Sequence, residues 1–322
     1  MGSYIVRRAL IALPMILAIS MITYAMIDLA PGDPVTALID PFSMQEGISQ
    51  EYIDAQKKRY GLDKPVYVRY VIWLGQLAQG NFGYSFMTGR PVLEMIRQRL
   101  PATLELTFTA LVIGTLGGVI FGVIAAIKQY STYDYALSFV SLVGISIPTF
   151  FLALVALFLV VLKVPIFPSH GWSDELGAPF NIWINLKHLA LPALVLSIEL
   201  LAVSTRFSRT AMLEVLHSDY VTTARAKGLS EWKVIGRHAF RNALLPLITI
   251  STLRLPILFS GALVIEQMFA WPGMGLFTVR AITNVDYPVL MGMTFFVALI
   301  VLVSNLLADI LYAVVDPRIR TA

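Results

Sequence analysis

The chain has 322 residues, of which 57% are hydrophobic and 14% charged, with a mean hydropathy of +0.75. A soluble domain carries about 25% charged residues, so the composition excludes one and describes a polytopic membrane protein. The net charge of +4 carries no nucleic-acid signal because the basic residues cluster at the edges of apolar runs, and the absence of cysteine excludes disulfides, thiolate metal sites and a Cys nucleophile.

Six apolar runs lie at about 9–29, 102–127, 137–162, 189–213, 244–268 and 289–314. Each is near the ~20 residues needed to cross the hydrocarbon core, where helices are the expected form. The first run follows Arg7-Arg8, exceeds a usual signal-peptide core, and lacks a clear cleavage site before Pro31-Gly32-Asp33-Pro34. It therefore reads as an uncleaved span. The predicted organisation is a tail and first span at 1–29, a helical extracytoplasmic insertion at 30–101, and a core at 102–322. The core contains a polar loop at 214–243.

Lys and Arg in the short connections set the orientation. With the N-terminus inside, the cytosolic segments hold Arg7, Arg8, Lys128, Arg206, Arg209, Arg225, Lys227, Lys233, Arg237, Arg241, Arg318 and Arg320. The two short outer loops hold only Lys163, Lys187 and Arg280. Both termini are thus predicted to be cytoplasmic.

Within the insertion, Ser49 to Tyr60 has a helical pattern with an N-cap, ended by Gly61. Val66 to Leu77 is amphipathic and aromatic, and Pro91 to Leu100 reads as a third short helix before the second span. These helices lie on the membrane surface or form a platform for a soluble partner, and the two readings are compatible. Gly114, Gly118 and Gly122 in the second span allow a close helix approach. Pro148 and Pro256 favour kinks in the third and fifth spans. Trp172 and Trp183 in the outer loop 163–188 read as part of an interfacial belt. Trp271, Pro272 and Gly273 begin a turn, either a plain connection or a gate at the outer mouth.

Glu199 and Arg254 each lie about 15 Å from the inner edge of their runs at ~1.5 Å per helical residue. Intramembrane charges pair or face a cavity. The two form a structural ion pair, line a substrate pathway, or meet a partner subunit. Glu266 and Asp309 lie nearer the ends of their runs and read as interfacial. No phosphate loop, H-E-x-x-H pair or triad spacing occurs among the four dispersed histidines. No catalytic or metal site is expected, so the energy for any transport must come from a partner or an ion gradient.

The polar loop carries Asp219-Tyr220-Val221, Ala224-Arg225-Ala226-Lys227-Gly228-Leu229, Arg237-His238 and Arg241-Asn242-Ala243-Leu244-Leu245-Pro246. This pattern resembles the cytoplasmic loop of binding-protein-dependent ABC importer permeases of the dipeptide, oligopeptide and nickel type. Thr222-Thr223-Ala224 replaces the general Glu-Ala-Ala, which is usual for the peptide-type branch. Independent matches run the length of the chain, including Tyr60-Gly61-Leu62-Asp63-Lys64-Pro65, Gly80-Asn81-Phe82-Gly83-Tyr84-Ser85, Ser146-Ile147-Pro148-Thr149-Phe150, Asp286-Tyr287-Pro288 and Asp316-Pro317-Arg318. The long loop after the first span is similar to that of the B-type dipeptide permease.

The resemblance implies a six-helix type I importer permease fold in the bacterial cytoplasmic membrane. It implies a second permease subunit in a heterodimer, two cytosolic ATPases that bind ATP and Mg, and an extracytoplasmic solute-binding protein. No cofactor is implied in this chain. Asp219, Tyr220, Ala224, Arg225, Ala226, Lys227, Gly228 and Leu229 would form the ATPase-coupling segment. Short peptides are the expected substrate, moved by alternating access. Nickel complexes or oligosaccharides are the alternative within the family. An ion-driven secondary transporter fits less well, because one central acidic residue and no evident internal repeat replace the relays of that class.

Overall fold

The computed structural model describes residues 2–29, 54–55, 57–58, 63–164, 166–173, 181–244, 247 and 255–315. Along the chain run α1 (Gly2–Leu29), α2 (Val66–Ala78), α3 (Val92–Ile127), α4 (Thr132–Ser146), α5 (Thr149–Ala156), α6 (Ile182–Leu216), α7 (Asp219–Ala226), α8 (Glu231–Lys233), α9 (Leu255–Met268), α10 (Met274–Thr283) and α11 (Tyr287–Val315). Helices α5 and α8 run on as π-helical stretches, Leu157–Lys163 and Val234–Phe240. Among the described residues there is no strand, only an isolated bridge between Tyr84 and Pro91.

Three helices among the described residues are long and apolar enough to cross a membrane: α3, α6 and Tyr287–Leu306 of α11. The bent pair α4–α5 makes a fourth if counted as one span. The chain forms two compact units. The larger holds Met1–Ile5, Ala102–Pro272 and Val303–Ala322, and the smaller holds Val6–Pro101 and Gly273–Leu302.

The predicted short helix at 91–100 is not separate. It is the start of α3, which continues through Pro101. Packing overrides the lost backbone hydrogen bond there, since Val92, Met95 and Ile96 are buried against Phe277, Val289 and Met293. The predicted helix at 49–60 falls largely outside the described residues, and 54, 55, 57 and 58 within it are helical. At Pro148 the third predicted span breaks. Ile147 is extended (φ −87°, ψ 125°), as the residue before proline prefers, and the flanking helices meet at 104°.

In the larger unit, α6 is the central element. Gly118 and Gly122 of α3 face it so closely that added Cβ atoms would meet backbone, while at Gly114 and Gly117 they would meet the side chains of Leu200 and Leu201. At Gly118 the nearest backbone atom would be Leu201 O at 2.7 Å, and at Gly122 Thr205 O at 2.5 Å. Ser208 Oγ crosses the same seam to donate to Val119 O at 3.2 Å. From α4, Gly144 sits against Ala202, where a Cβ would lie 3.1 Å from its side chain. Small residues at four-residue spacing thus place helix backbones in direct contact.

The smaller unit is held by an aromatic cluster of Tyr24, Tyr70, Trp73, Phe82 and Phe295. Ser20 and Tyr70 share a hydrogen bond of 2.9 Å between α1 and α2. Buried Asp286 accepts from Ser85 Oγ at 2.5 Å and from Phe86 N at 3.1 Å, fixing the turn before α3.

Two helical glycines separate packing from propensity. Gly122→Ala drives a methyl into the α6 backbone and is expected to cost about 3 kcal/mol, whereas nothing lies within 4 Å of a Cβ at Gly75 in α2. Gly75→Ala is expected to stabilise by up to about 1 kcal/mol. Thermal unfolding of the purified chain checks both. Equal melting temperatures for the two variants would contradict the seam.

Candidate functional site

The polar loop begins where α6 ends at Leu216. Asp219–Ala226 forms α7 with Ser218 in extended N-cap conformation and Asp219 in the first turn. Val221 and Ala224, three residues apart, share the buried face. They are 0% and 5% exposed, within a cluster formed with Ala126, Ala211, Met212, Val234, Ala239 and Ala243. The loop therefore has its own core, anchored on the ends of α3 and α6.

The end of α7 is closed by a Schellman turn. Gly228 has φ +74°, its N–H bonds Arg225 O at 2.9 Å, and Leu229 N–H reaches Ala224 O at 3.4 Å. Arg225 folds over this turn, its Nε donating to Glu231 Oε1 at 3.0 Å. Tyr220 OH accepts from Asn242 Nδ2 at 2.9 Å, tying α7 to the chain beyond α8.

These contacts leave one continuous exposed rim from Arg225 to Lys233. Of the predicted coupling residues, Asp219, Tyr220, Arg225, Ala226, Lys227, Gly228 and Leu229 are exposed and Ala224 is buried. Ala224 thus supports the rim from below. The sequence reading missed Trp232, which is 84% exposed at the centre of the rim's second half. A Trp inside the polar stretch Ser230-Glu231-Trp232-Lys233 was its only signal.

The loop's supports reach a third helix. Arg209 on α6 grips Asp134 in the first turn of α4 with two bonds, Nε–Oδ1 at 2.6 Å and NH2–Oδ2 at 2.8 Å. Tyr130 N donates to the same carboxylate at 3.0 Å. The charge rule had counted Arg209 only as a marker of orientation.

A second polar network lies in the larger unit. Trp172 Nε1 donates to Glu105 Oε2 at 2.8 Å, and the buried Asn185 amide, turned with its nitrogen toward the carboxylate, donates to Glu105 Oε1. His188 Nδ1 lies 3.0 Å from His170 O. Trp172 is therefore fixed to a carboxylate, and only Trp183, 74% exposed, has the exposure of a belt residue. Glu266 is 0% exposed and accepts from Thr103 Oγ1 at 2.6 Å, so the contact from α3 turns it into the chain. Trp271 is fully buried and its Nε1 donates to Ala102 O at 2.8 Å. Pro272 follows, and Gly273 is the N-cap of α10. Glu199 is half-buried on α6. Arg254 and the side chain of Asp309 lie outside the described residues.

Comparison with known proteins follows the whole chain. The family described as "Binding-protein-dependent transport system inner membrane component" matches residues 118–321, and its N-terminal counterpart matches residues 1–107. The oligopeptide transport system permease protein AppB of Bacillus subtilis (strain 168) is 42% identical over 321 residues, covering 99% of this chain and 100% of that protein. The di/tripeptide transport system permease protein DppB of Pseudomonas aeruginosa (strain UCBPP-PA14) is 39% identical, covering 99% of each. Among solved structures, an inward-facing MetNI methionine ABC transporter chain aligns with a TM-score of 0.54 at 16% identity, covering 70% of this chain and 97% of that one. That likeness concerns the fold alone. The chain belongs to the family of binding-protein-dependent transport system inner membrane components, the membrane permease subunits of such systems.

Proposed function

We propose that this chain is the permease subunit of an ATP-driven importer of short peptides. In this reading it spans the bacterial cytoplasmic membrane six times with both termini inside. It pairs with a second permease, two cytosolic ATPases and an extracytoplasmic binding protein. The peptide substrate rests on the full-length similarity to relatives named for oligopeptide and di/tripeptide transport. Glu199 and Arg254 would face the pathway and meet the two ends of a zwitterionic peptide. Trp271, Pro272 and Gly273 would border its outer mouth.

The observation that carries the mechanism is the braced rim Arg225–Lys233. It presents Leu229 and Trp232 outward while Val221 and Ala224 lock its underside to α3 and α6. An exposed aromatic within a polar surround has the composition of a binding hot spot. A push on the rim reaches α3 and α6 through the buried cluster. It reaches α4 through the paired bonds of Arg209 and Asp134. Closure of the ATPases would thereby move these helices together and switch the pathway between its two sides.

Uptake of radiolabelled di- and oligopeptides by cells carrying the operon is the direct substrate test. Import of a nickel chelate or oligosaccharide with no peptide import would overturn the peptide assignment. For the docking surface, Trp232→Ala is expected to weaken binding of the purified ATPases about 30-fold. The permease fold should be unchanged, because the side chain is 84% exposed. Wild-type affinity in this variant would place the docking surface elsewhere. Gly228→Ala has open space for its methyl but forces an L-residue to φ +74°, at a cost of about 1 kcal/mol. Its expected phenotype is normal membrane assembly with reduced peptide-stimulated ATP hydrolysis, measured in proteoliposomes.

A further inference from the structure

The smaller unit contains a cluster of arginines that the coupling mechanism does not use. The first turns of α3 pack on α10 through Val92, Met95, Ile96, Phe277 and Ala281. At the edge of this contact the Arg99 guanidinium lies 4.1 Å from the centroid of the Phe277 ring. Its NH1 donates to Met95 O at 3.0 Å. Ring and carbonyl together fix the plane of the fork. Arg280 lies one turn beyond Phe277 on α10, and residues three apart share a helix face. The charges of Arg90 and Arg280 are close enough to repel that of Arg99.

Arg90 has its own counter-charge, since its NH2 meets Glu94 Oε1 at 2.7 Å and Gln98 Oε1 at 3.1 Å. Among the described residues, neither Arg99 nor Arg280 has a carboxylate partner. Arg99 is half-buried. A half-buried cation crowded by like charges is unfavourable alone and is relieved by an anion.

Depth selects the anion. Arg99 precedes the apolar run that starts at Ala102 by three residues, or about 4.5 Å of helix. The headgroup layer extends roughly 5–7 Å beyond the hydrocarbon core. The fork therefore lies within the layer that holds lipid phosphates, whereas a carboxylate on a soluble partner would have to descend into it. An arginine fork matches a phosphate with two parallel bonds. We propose that Arg99 and Arg280, with Arg90 at the rim, hold the phosphate of an anionic phospholipid.

The test uses the full chain in detergent, titrated with phosphatidylglycerol, with bound lipids counted by native mass spectrometry. Wild type is expected to retain phosphatidylglycerol in preference to phosphatidylcholine, and millimolar inorganic phosphate should not displace it. The Arg99→Gln/Arg280→Gln variant should hold that lipid about 30-fold less tightly, the factor that two basic residues at an anionic surface supply. Arg280→Gln alone changes an exposed residue, leaves the helix packing intact and should give an intermediate loss. Equal retention by wild type and both variants would overturn the proposal. Displacement by inorganic phosphate would make it a free-phosphate site. Unchanged lipid retention with weakened stimulation by the binding protein would assign the cluster to an acidic protein surface. The lipid count does not depend on what the chain transports.

Discussion

Not even a methyl group fits between α3 and α6 at Gly118 and Gly122. In lipid, association gains little from hydrophobic burial, because the tails are as apolar as the side chains. Close backbone approach and its dispersion contacts must hold the helices instead. The seam therefore fixes α6, and α4 packs on a neighbouring face of it through Gly144 and Ala202. The placement of the polar loop depends on this arrangement, since the loop leaves from the end of α6 and rests on Ala126 of α3.

Two kinds of contact tie that loop and its supports to the helices. The apolar cluster around Val221 and Met212 resists compression but has no directional preference. The Arg209–Asp134 pair is directional, with Asp134 only 2% exposed and Arg209 28%. A bidentate pair with a buried carboxylate holds angle as well as distance. By contrast, Arg225–Glu231 is exposed on both sides at 42% and 61%, and such pairs contribute between nothing and about 1 kcal/mol. The inner bond acts as a strut, and the outer one shapes a turn that Gly228 already favours.

Local pattern revealed the features that depend on local chemistry. Glycine spacing showed the seam, and Pro148 showed the break. The family followed from short motifs kept in order along the whole chain. What stayed hidden was facing. A helix of eight residues such as α7 is too short for periodicity to separate a face packed on its own chain from one offered to a partner, so Ala224 and Arg225 read alike. Position within an apolar run gives depth but not direction, so nothing local showed that Thr103 turns Glu266 inward. Glu105 meets Trp172 and Asn185 across 67 and 80 residues, separations that no local window joins. Trp232 belonged to no motif or period, and only its exposure distinguished it.

The seam also divides the chain by how freely its sequence can drift. At Gly118 and Gly122 any larger side chain meets backbone, so substitution there requires the two helices to separate. Among the described residues, the outward rim from Ala226 to Lys233 is exposed throughout. In the proposed reading its residues can change in step with the ATPase they would meet. On that reading, one permease scaffold could exchange motors over evolutionary time while its helix packing keeps its shape.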